Sequence, residues 1–177
     1  NGAVVIEELS GDQATDLSSV ETSLDVTVEV DANSEITTNT NIPNAEVDTY
    51  EVADGAELTL TAAQADGVSI TAAGTTGTTK VTNVASKPGA DLSSVDTSLT
   101  IDLGTDGDDD TPIVLTNDAH IDVPEGRTLT GTSTDGESNN VLDVTAATFS
   151  FEDNDGTADG DVVVEAKTIL RLTASQI

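Results

Sequence analysis

Apolar and polar residues alternate with a period of two along much of the chain. The clearest runs, named by their apolar positions, are Leu24-Val26-Val28-Val30, Leu58-Leu60, Val68-Ile70, Leu99-Ile101-Leu103, Ile121-Val123 and Phe149-Phe151. A period of two is typical of strands that bury one face. The runs recur about every 8–12 residues between Gly, Asp, Asn and Pro, as in a sandwich, barrel or solenoid. The pattern therefore predicts an all-β chain.

Helical signals are confined to short segments. Residues 62–66 favour one helical turn, and Asp16 or Asp91 is a candidate N-cap for the Leu-Ser-Ser-Val run that follows it. Turn signals such as Asp54-Gly55 and Asp66-Gly67 are frequent. We therefore expect short strands joined by tight turns.

Parts of the sequence repeat. Residues 16–24 return at 91–99, 75 positions later, with eight of nine residues identical. At a different offset, residues 56–64 resemble residues 168–176. Repeats of this kind mark stacked or tandem modules, which build a length or a surface rather than one pocket. The expected architecture is a β-solenoid-like repeat stack, with two tandem β-sandwich modules as the alternative.

The repeats also divide the chain and relate its two ends. We expect a first β repeat module at 1–86 and a second, with acidic insertions, at 87–177. Residues 2–9 match the part that precedes the repeated Asp motif, and the chain stops where its continuation is due. Two explanations fit. The chain is a window from a longer repetitive protein, or subunits complete one another head to tail by adding a strand.

Charge narrows the range of partners. Lys and Arg total 5 and Asp and Glu total 34, which gives a formal net charge of -29. So few cations cannot neutralise a run of phosphates, so we expect no nucleic-acid partner, and docking on anionic membranes is disfavoured. No apolar stretch is long enough for a membrane span. Without Cys there are no disulfides, so stacking or bound cations must stabilise the fold.

Two acidic loops are candidate calcium sites. Alternating Asp or Asn with Gly lets several oxygens turn towards one hard cation, as Ca²⁺ requires. Neither loop has the distal Glu of an EF-hand, and solvated turns are the competing interpretation. The candidate ligands are Asp102, Asp106, Asp108, Asp110, Asp153, Asp155, Asp159 and Asp161.

Catalytic signals are weak. His120 is the only histidine and, without Cys or a second His, has no evident zinc partners. Basic residues are scattered and aromatic residues are scarce, which disfavours a polysaccharide-active enzyme unless converging acids and Tyr50 line a cleft. Thr-rich stretches at 37–40 and 75–79 are irregularly spaced, whereas an ice-binding face needs Thr pairs in register. Exposed β-surface and loop is the favoured interpretation of both stretches.

Segments 58–71, 81–84 and 91–95 resemble the tandem β-strand repeats of very large secreted bacterial surface proteins and adhesins. The resemblance implies an extracellular, repetitive and non-catalytic role at the cell surface. Together these features predict a structural module of an extracellular filament, surface layer or biofilm, with copies of itself as partners and calcium as stabiliser. The alternative is a calcium-dependent adhesin domain that binds a glycan or cell-surface ligand.

Overall fold

The chain forms short β-strands almost throughout the part that a computed structural model describes, namely residues 3–9, 25–35, 47–103, 113–116, 119–123, 127–132, 140–151, 161–164 and 168–174. These ranges contain one short α-helix, α1 (Ala62–Ala65), and a 3-10 turn at Val84–Ser86. The strands are β1 (Ala3–Leu9), β2 (Asp25–Val30), β3 (Ser34–Glu35), β4 (Thr49–Val52), β5 (Glu57–Thr61), β6 (Ser69–Ala72), β7 (Thr78–Thr82), β8 (Asp91–Leu92), β9 (Val95–Asp96), β10 (Ser98–Asp102), β11 (Ile113–Val114), β12 (His120–Val123), β13 (Thr128–Thr132), β14 (Asn140–Asp143), β15 (Thr148–Phe151), β16 (Asp161–Val164) and β17 (Thr168–Arg171). The all-β prediction is confirmed.

Four sheets are formed, and the strand pairings within them are parallel throughout the described residues. The five-stranded sheet has the order β1-β2-β4-β6-β9, and the six-stranded sheet has the order β16-β13-β10-β7-β5-β3. Two three-stranded sheets have the orders β11-β14-β17 and β15-β12-β8. In the described residues, neighbouring strands other than β1 and β2 are separated in sequence by strands of other sheets, so these parallel pairs are connected without long helical crossovers.

The length of chain between paired strands changes along the molecule. In the six-stranded sheet Leu58 pairs with Thr79, and Thr79 pairs with Leu99. Leu99 then pairs with Leu129, and Leu129 pairs with Val162. The later partners therefore lie further apart in sequence than the earlier ones. The ladder stays in register although the connections lengthen, because the extra residues lie between strands and not within them.

Alternate side chains of strands such as β2 and β5 enter one continuous core. In β2 Val26, Val28 and Val30 are fully buried, and in β5 Leu58 and Leu60 are buried while their neighbours are half-exposed. The core cluster extends from Val26 to Ala147 and is built mainly of Val, Leu, Ile and Ala. Burial of a Val or Leu side chain contributes about 1.5–3 kcal/mol. The period-two prediction of buried faces is confirmed for these strands.

The two predicted helical turns have different outcomes. The helix at Ala62–Ala65 is confirmed, and a capping box stabilises it because the Thr61 hydroxyl accepts from the Gln64 N–H while Gln64 Oε1 accepts from the Thr61 N–H. The predicted helical turn after Asp91 is wrong. There β8 and β9 are joined by a bend in which Asp91 Oδ1 accepts from the Ser93 N–H at 3.0 Å. The Asp16 copy lies outside the described residues.

The sequence repeats do not fall on equivalent strands. Residues 56–61 cover β5 of the six-stranded sheet, whereas the similar residues 168–173 begin with β17 of a three-stranded sheet. Residues 16–24 lie outside the described part of the chain. Ladders also run across the predicted division at 86–87, since β7 pairs with β10 and β6 with β9. The division into two modules stays a prediction.

Candidate functional site

Of the eight predicted calcium ligands, the structure describes the side chain of Asp102 alone. Asp102 is buried, and its Oδ2 lies 2.8 Å from Lys80 Nζ. Asp161 is the first residue of β16. The others lie outside the described residues: Asp106, Asp108, Asp110, Asp153, Asp155 and Asp159. Within the described ranges no three acidic or histidine side chains are grouped so as to hold a metal. Calcium binding therefore stays a prediction.

Basic side chains join segments that lie far apart in sequence. Each of the four Lys and Arg residues in the described part of the chain forms an ion pair with an Asp that is distant in sequence. The pairs, with N–O distances, are Lys80–Asp102 (2.8 Å), Lys87–Asp66 (2.8 Å), Arg127–Asp96 (3.5 Å) and Arg171–Asp143 (2.7 Å). The basic residues that are scattered in sequence thus bridge segments that stack on each other.

The Lys80–Asp102 pair has the most buried carboxylate of the four. The side chain of Asp102 is 7% exposed and that of Lys80 is 25% exposed. A buried carboxylate that loses its cationic partner keeps most of the cost of desolvation. We expect Lys80→Thr to lower the free energy of unfolding by about 1–3 kcal/mol, less than for a fully buried pair because water reaches Lys80.

A double-mutant cycle tests this expectation by urea denaturation of Lys80→Thr, Asp102→Thr and the double variant. Thr fits the outward side of a strand. The double variant should recover much of what Lys80→Thr loses, because it removes the charge left behind. A loss in the double variant equal to the sum of the two single losses would show that the pair contributes little.

Two Asp residues shape bends at strand ends. Asp91 Oδ1 accepts from the N–H and the hydroxyl of Ser93, at 3.0 and 2.6 Å, and both bonds lower the pKa of Asp91. Asp143 repeats the arrangement with Thr145, at 3.1 and 2.7 Å. Burial opposes ionisation of Asp143, but the bonds from Thr145 and Arg171 keep its pKa below the usual value. The Asp-x-Ser/Thr motif is therefore a turn motif here.

Another Asp holds the loop between β6 and β7. Asp54 Oδ1 accepts from the Thr75 N–H at 2.8 Å and from the Thr76 N–H and hydroxyl at 3.0 Å, and these bonds lower its pKa. Arg127 donates to the carbonyls of Thr75 and Gly74 at 3.1 and 3.4 Å. An added Cβ at Gly74 would collide with the Asp54 carboxylate, so a larger residue there would displace Asp54 from its bonds to Thr75 and Thr76.

Carboxylates occupy paired positions on the outer face of the five-stranded sheet. Glu29 and Glu51 are paired positions on β2 and β4, and Thr71 of β6 continues the row. The pKa of Glu29 is raised by partial burial and by the charges of Glu7, Glu51 and Asp31. Like charges on adjacent strands repel one another. This acidic row is destabilising unless protons or dissolved cations neutralise it.

Glu29→Gln is expected to stabilise the protein at neutral pH. The pKa of Glu29 in the folded protein is above its usual value of 4.5, so the folded state favours the protonated carboxyl. The resulting contribution to the free energy of unfolding is complete below that pH. The contribution is lost as pH rises through the folded-state pKa. Urea denaturation should show a gain for Glu29→Gln at pH 7 that disappears near pH 4.

Glu57→Gln is the matched control, because the ladder neighbour of Glu57 is Thr78 and not another acid. Its effect at pH 7 should be smaller than that of Glu29→Gln. Equal gains from the two substitutions would point to general charge reduction and not to repulsion within the acidic row.

The two residues considered for catalysis lie apart from any described acid cluster. His120 Nδ1 is 4.0 Å from Asp91 Oδ1, at the start of β12. Tyr50 lies in the core, 3% exposed, between Val28 and Ile70 of the neighbouring strands. Burial raises the pKa of Tyr50 to about 12. Tyr50 therefore does not line a surface cleft, as the polysaccharide-active alternative requires.

Comparisons with known proteins were made for the whole chain. No protein-family model, no curated protein and no solved structure matches it. The adhesin resemblance thus stays an interpretation of the sequence. In the described residues, no helix is long and apolar enough to cross a membrane.

The first and the last strands of the described part of the chain are edge strands of their sheets. Within the described residues β1 pairs with β2 alone, and β15, β16 and β17 each pair with one strand. Two apolar side chains on these strands are exposed, Val5 of β1 at 51% and Ile169 of β17 at 42%. An open edge has unpaired backbone N–H and C=O groups that can pair with a strand of another chain.

Proposed function

We propose that this protein is a structural module of an extracellular filament or surface layer, which assembles head to tail by β-strand complementation and is stabilised by calcium. The observation that carries the proposal is the parallel strand ladder, which within the described residues has an open edge at each end. A ladder of this kind extends by adding strands of another copy. The contact joins two different surfaces, so it does not close and generates a filament.

The parallel pairing also supports a β-solenoid over two β-sandwich modules. Sandwich modules of the immunoglobulin and jelly-roll types are built from antiparallel strands. Here the strands paired in one sheet, apart from β1 and β2, are separated in sequence by strands of other sheets, as expected if the chain winds once per ladder step. A solenoid gains length by stacking its turns, and its strand ladders make it stiff. Small aliphatic side chains are enough to fill its core, and the core of this chain consists mainly of them.

Calcium has a physical role in such a stack. The chain carries 34 acidic residues against 5 basic ones, and the four described basic residues are engaged with Asp66, Asp96, Asp102 and Asp143. Dissolved cations must neutralise much of the remaining charge before copies can approach end to end. The acidic loops after Asp102 and before Asp161 are the proposed calcium sites. Calcium at extracellular concentration would stabilise each site by about 1.4–2.7 kcal/mol.

The proposal is tested by following the assembly of the purified chain with light scattering and electron microscopy. We expect filaments in CaCl₂ and their dissociation after chelation. Thermal melting should also be higher in CaCl₂ than in NaCl of equal ionic strength, because binding adds to screening.

The two parts of the proposal can fail separately. Equal melting temperatures in the two salts would show that the cations act by screening alone and would contradict the proposed calcium sites. A chain that stays monomeric at high concentration in both salts contradicts head-to-tail assembly.

A further inference from the structure

The outer face of the six-stranded sheet is an ordered array of hydroxyl groups. We define the hydroxyl face as the twelve outward positions of β5, β7, β10 and β13. Nine of the twelve are Thr or Ser, and the other three are Glu57, Lys80 and Asp102. The nine are Thr59, Thr61, Thr78, Thr82, Ser98, Thr100, Thr128, Thr130 and Thr132. Their neighbours in the strands, such as Leu58 and Ile101, are buried, so these side chains lie on the outside.

The positions of the hydroxyl face form rows across the strands. Thr59, Lys80, Thr100 and Thr130 are successive partners in the ladder, and Thr61 and Thr82 are partners in the next row. None of these ladders contains a register shift. The side chains therefore repeat about every 4.8 Å across the strands and about every 6.7 Å along them. The result is a two-dimensional lattice of alcohol groups.

Several of the hydroxyl groups have defined orientations. Thr78 and Thr82 donate to the carbonyls of Ala56 and Leu60 on the preceding strand, at 3.4 and 3.3 Å. Thr is also restricted about χ1 by its β-branch. A surface whose groups are already ordered loses little side-chain entropy when it binds a ligand. This order favours a ligand that is itself a rigid lattice.

Charge separates the hydroxyl face from the rest of the chain. Its formal charge is -1, from Glu57, Asp102 and Lys80, whereas the chain carries -29. The last two neutralise each other, since Lys80 Nζ lies 2.8 Å from Asp102 Oδ2. By contrast, the outer face of the five-stranded sheet carries two carboxylates at paired positions, Glu29 and Glu51. A nearly neutral face fits a neutral ligand. A second copy of the chain is less suitable, because its net charge of -29 would repel the first copy.

We propose that the hydroxyl face binds ice. An ice surface is a neutral lattice of water oxygens that donates and accepts hydrogen bonds at regular spacings comparable to those of the Thr rows. Alcohol groups in fixed positions can replace surface waters of that lattice, and Thr methyl groups between them order the adjacent water. A sugar ligand fits less well, because the twelve positions include no aromatic side chain on which a ring can stack. The inference does not depend on filament assembly.

The test is the growth of a single ice crystal in a solution of the purified chain. Thermal hysteresis and ice recrystallisation are measured on the same samples. We expect faceted crystals and a gap between the melting and freezing temperatures. Thr100→Lys with Thr130→Lys should abolish both effects, because two long charged side chains then stand in one row. The matched control is Thr71→Lys on the outer face of the five-stranded sheet, which should behave as the parent chain does.

A second variant tests the same face in the opposite direction. Lys80→Thr with Asp102→Thr places Thr at two of the three positions of the hydroxyl face that lack a hydroxyl group. The thermal hysteresis at equal concentration should therefore increase. Circular dichroism confirms that each variant is folded, and the gain expected here does not depend on the Lys variants being stable.

Three results would overturn the proposal. The first is that ice crystals stay round in the parent chain. The second is that the variant with Thr100→Lys and Thr130→Lys still produces faceted crystals. The third is that Lys80→Thr with Asp102→Thr does not increase the thermal hysteresis. A concentration-dependent dimer that these Lys substitutions abolish, without any effect on ice, would assign the face to a second copy instead.

Discussion

A chain that lacks residues 2–9 is expected to lose end-to-end assembly while it keeps most of its strands. Of the described strands β1 pairs with β2 alone, and the buried positions of β2, Val26, Val28 and Val30, also pack within the main core. Removing β1 therefore exposes the edge of β2 without opening the centre of the stack. It also removes the strand, with its exposed Val5, that a neighbouring copy would pair with.

Sedimentation and electron microscopy in CaCl₂ measure the loss of assembly, and circular dichroism measures the retained strand content. The deletion also removes two carboxylates, Glu7 and Glu8, so charge must be separated from strand pairing. Glu7→Gln with Glu8→Gln is the matched control, because it removes the same charge and keeps the strand. We expect this control to assemble at least as well as the parent. Filaments of unchanged length from the shortened chain would contradict strand complementation through β1.

Ile101→Ala is expected to lower the free energy of unfolding by about 2–5 kcal/mol. Ile101 is fully buried in β10, and its ladder partners are Val81 on one side and Gly131 on the other. Gly131 has no side chain to move into the space that the smaller residue leaves. With few large residues in the core, we expect a cost near the upper end of that range.

The control is Thr100→Ala, one residue away on the same strand and half-exposed. We expect its effect on the free energy of unfolding to be within about 0.5 kcal/mol. Urea denaturation followed by circular dichroism compares the two variants, and equal midpoints would show that the assignment of inner and outer faces in β10 is wrong.

The strands could be predicted from sequence because their pattern is local. Burial of Val26, Val28 and Val30 follows from alternation within one short segment, and the capped turn at Ala62–Ala65 follows from Thr61 and Gln64. The bend after Asp91 could not be predicted in the same way. A Ser two positions after an Asp can bond the carboxylate in a turn as readily as it can begin a helix, and the adjoining strands decide between them.

The arrangement of the surface residues is not local, and this is why the sequence does not predict it. Lys80 reaches Asp102 across one ladder step, but the length of chain in a step increases along the sheet, from the β7–β10 pair to the β13–β16 pair. No fixed spacing therefore reveals which positions become neighbours. The same variation hides the Thr rows of the hydroxyl face, which share only Thr78 with the Thr-rich stretches at 37–40 and 75–79. The acidic loops lie mostly outside the described residues, so their calcium role remains a proposal.

Fibre diffraction from oriented assemblies of the purified chain tests the central claim most directly. Strands that stack one on another along a growing filament repeat about every 4.8 Å along its axis. We therefore predict a strong reflection at that spacing along the fibre axis, from filaments that form in CaCl₂. Filaments in which this reflection lies across the axis, or a chain that yields compact monomers and no filaments, would contradict end-to-end growth of a parallel β stack.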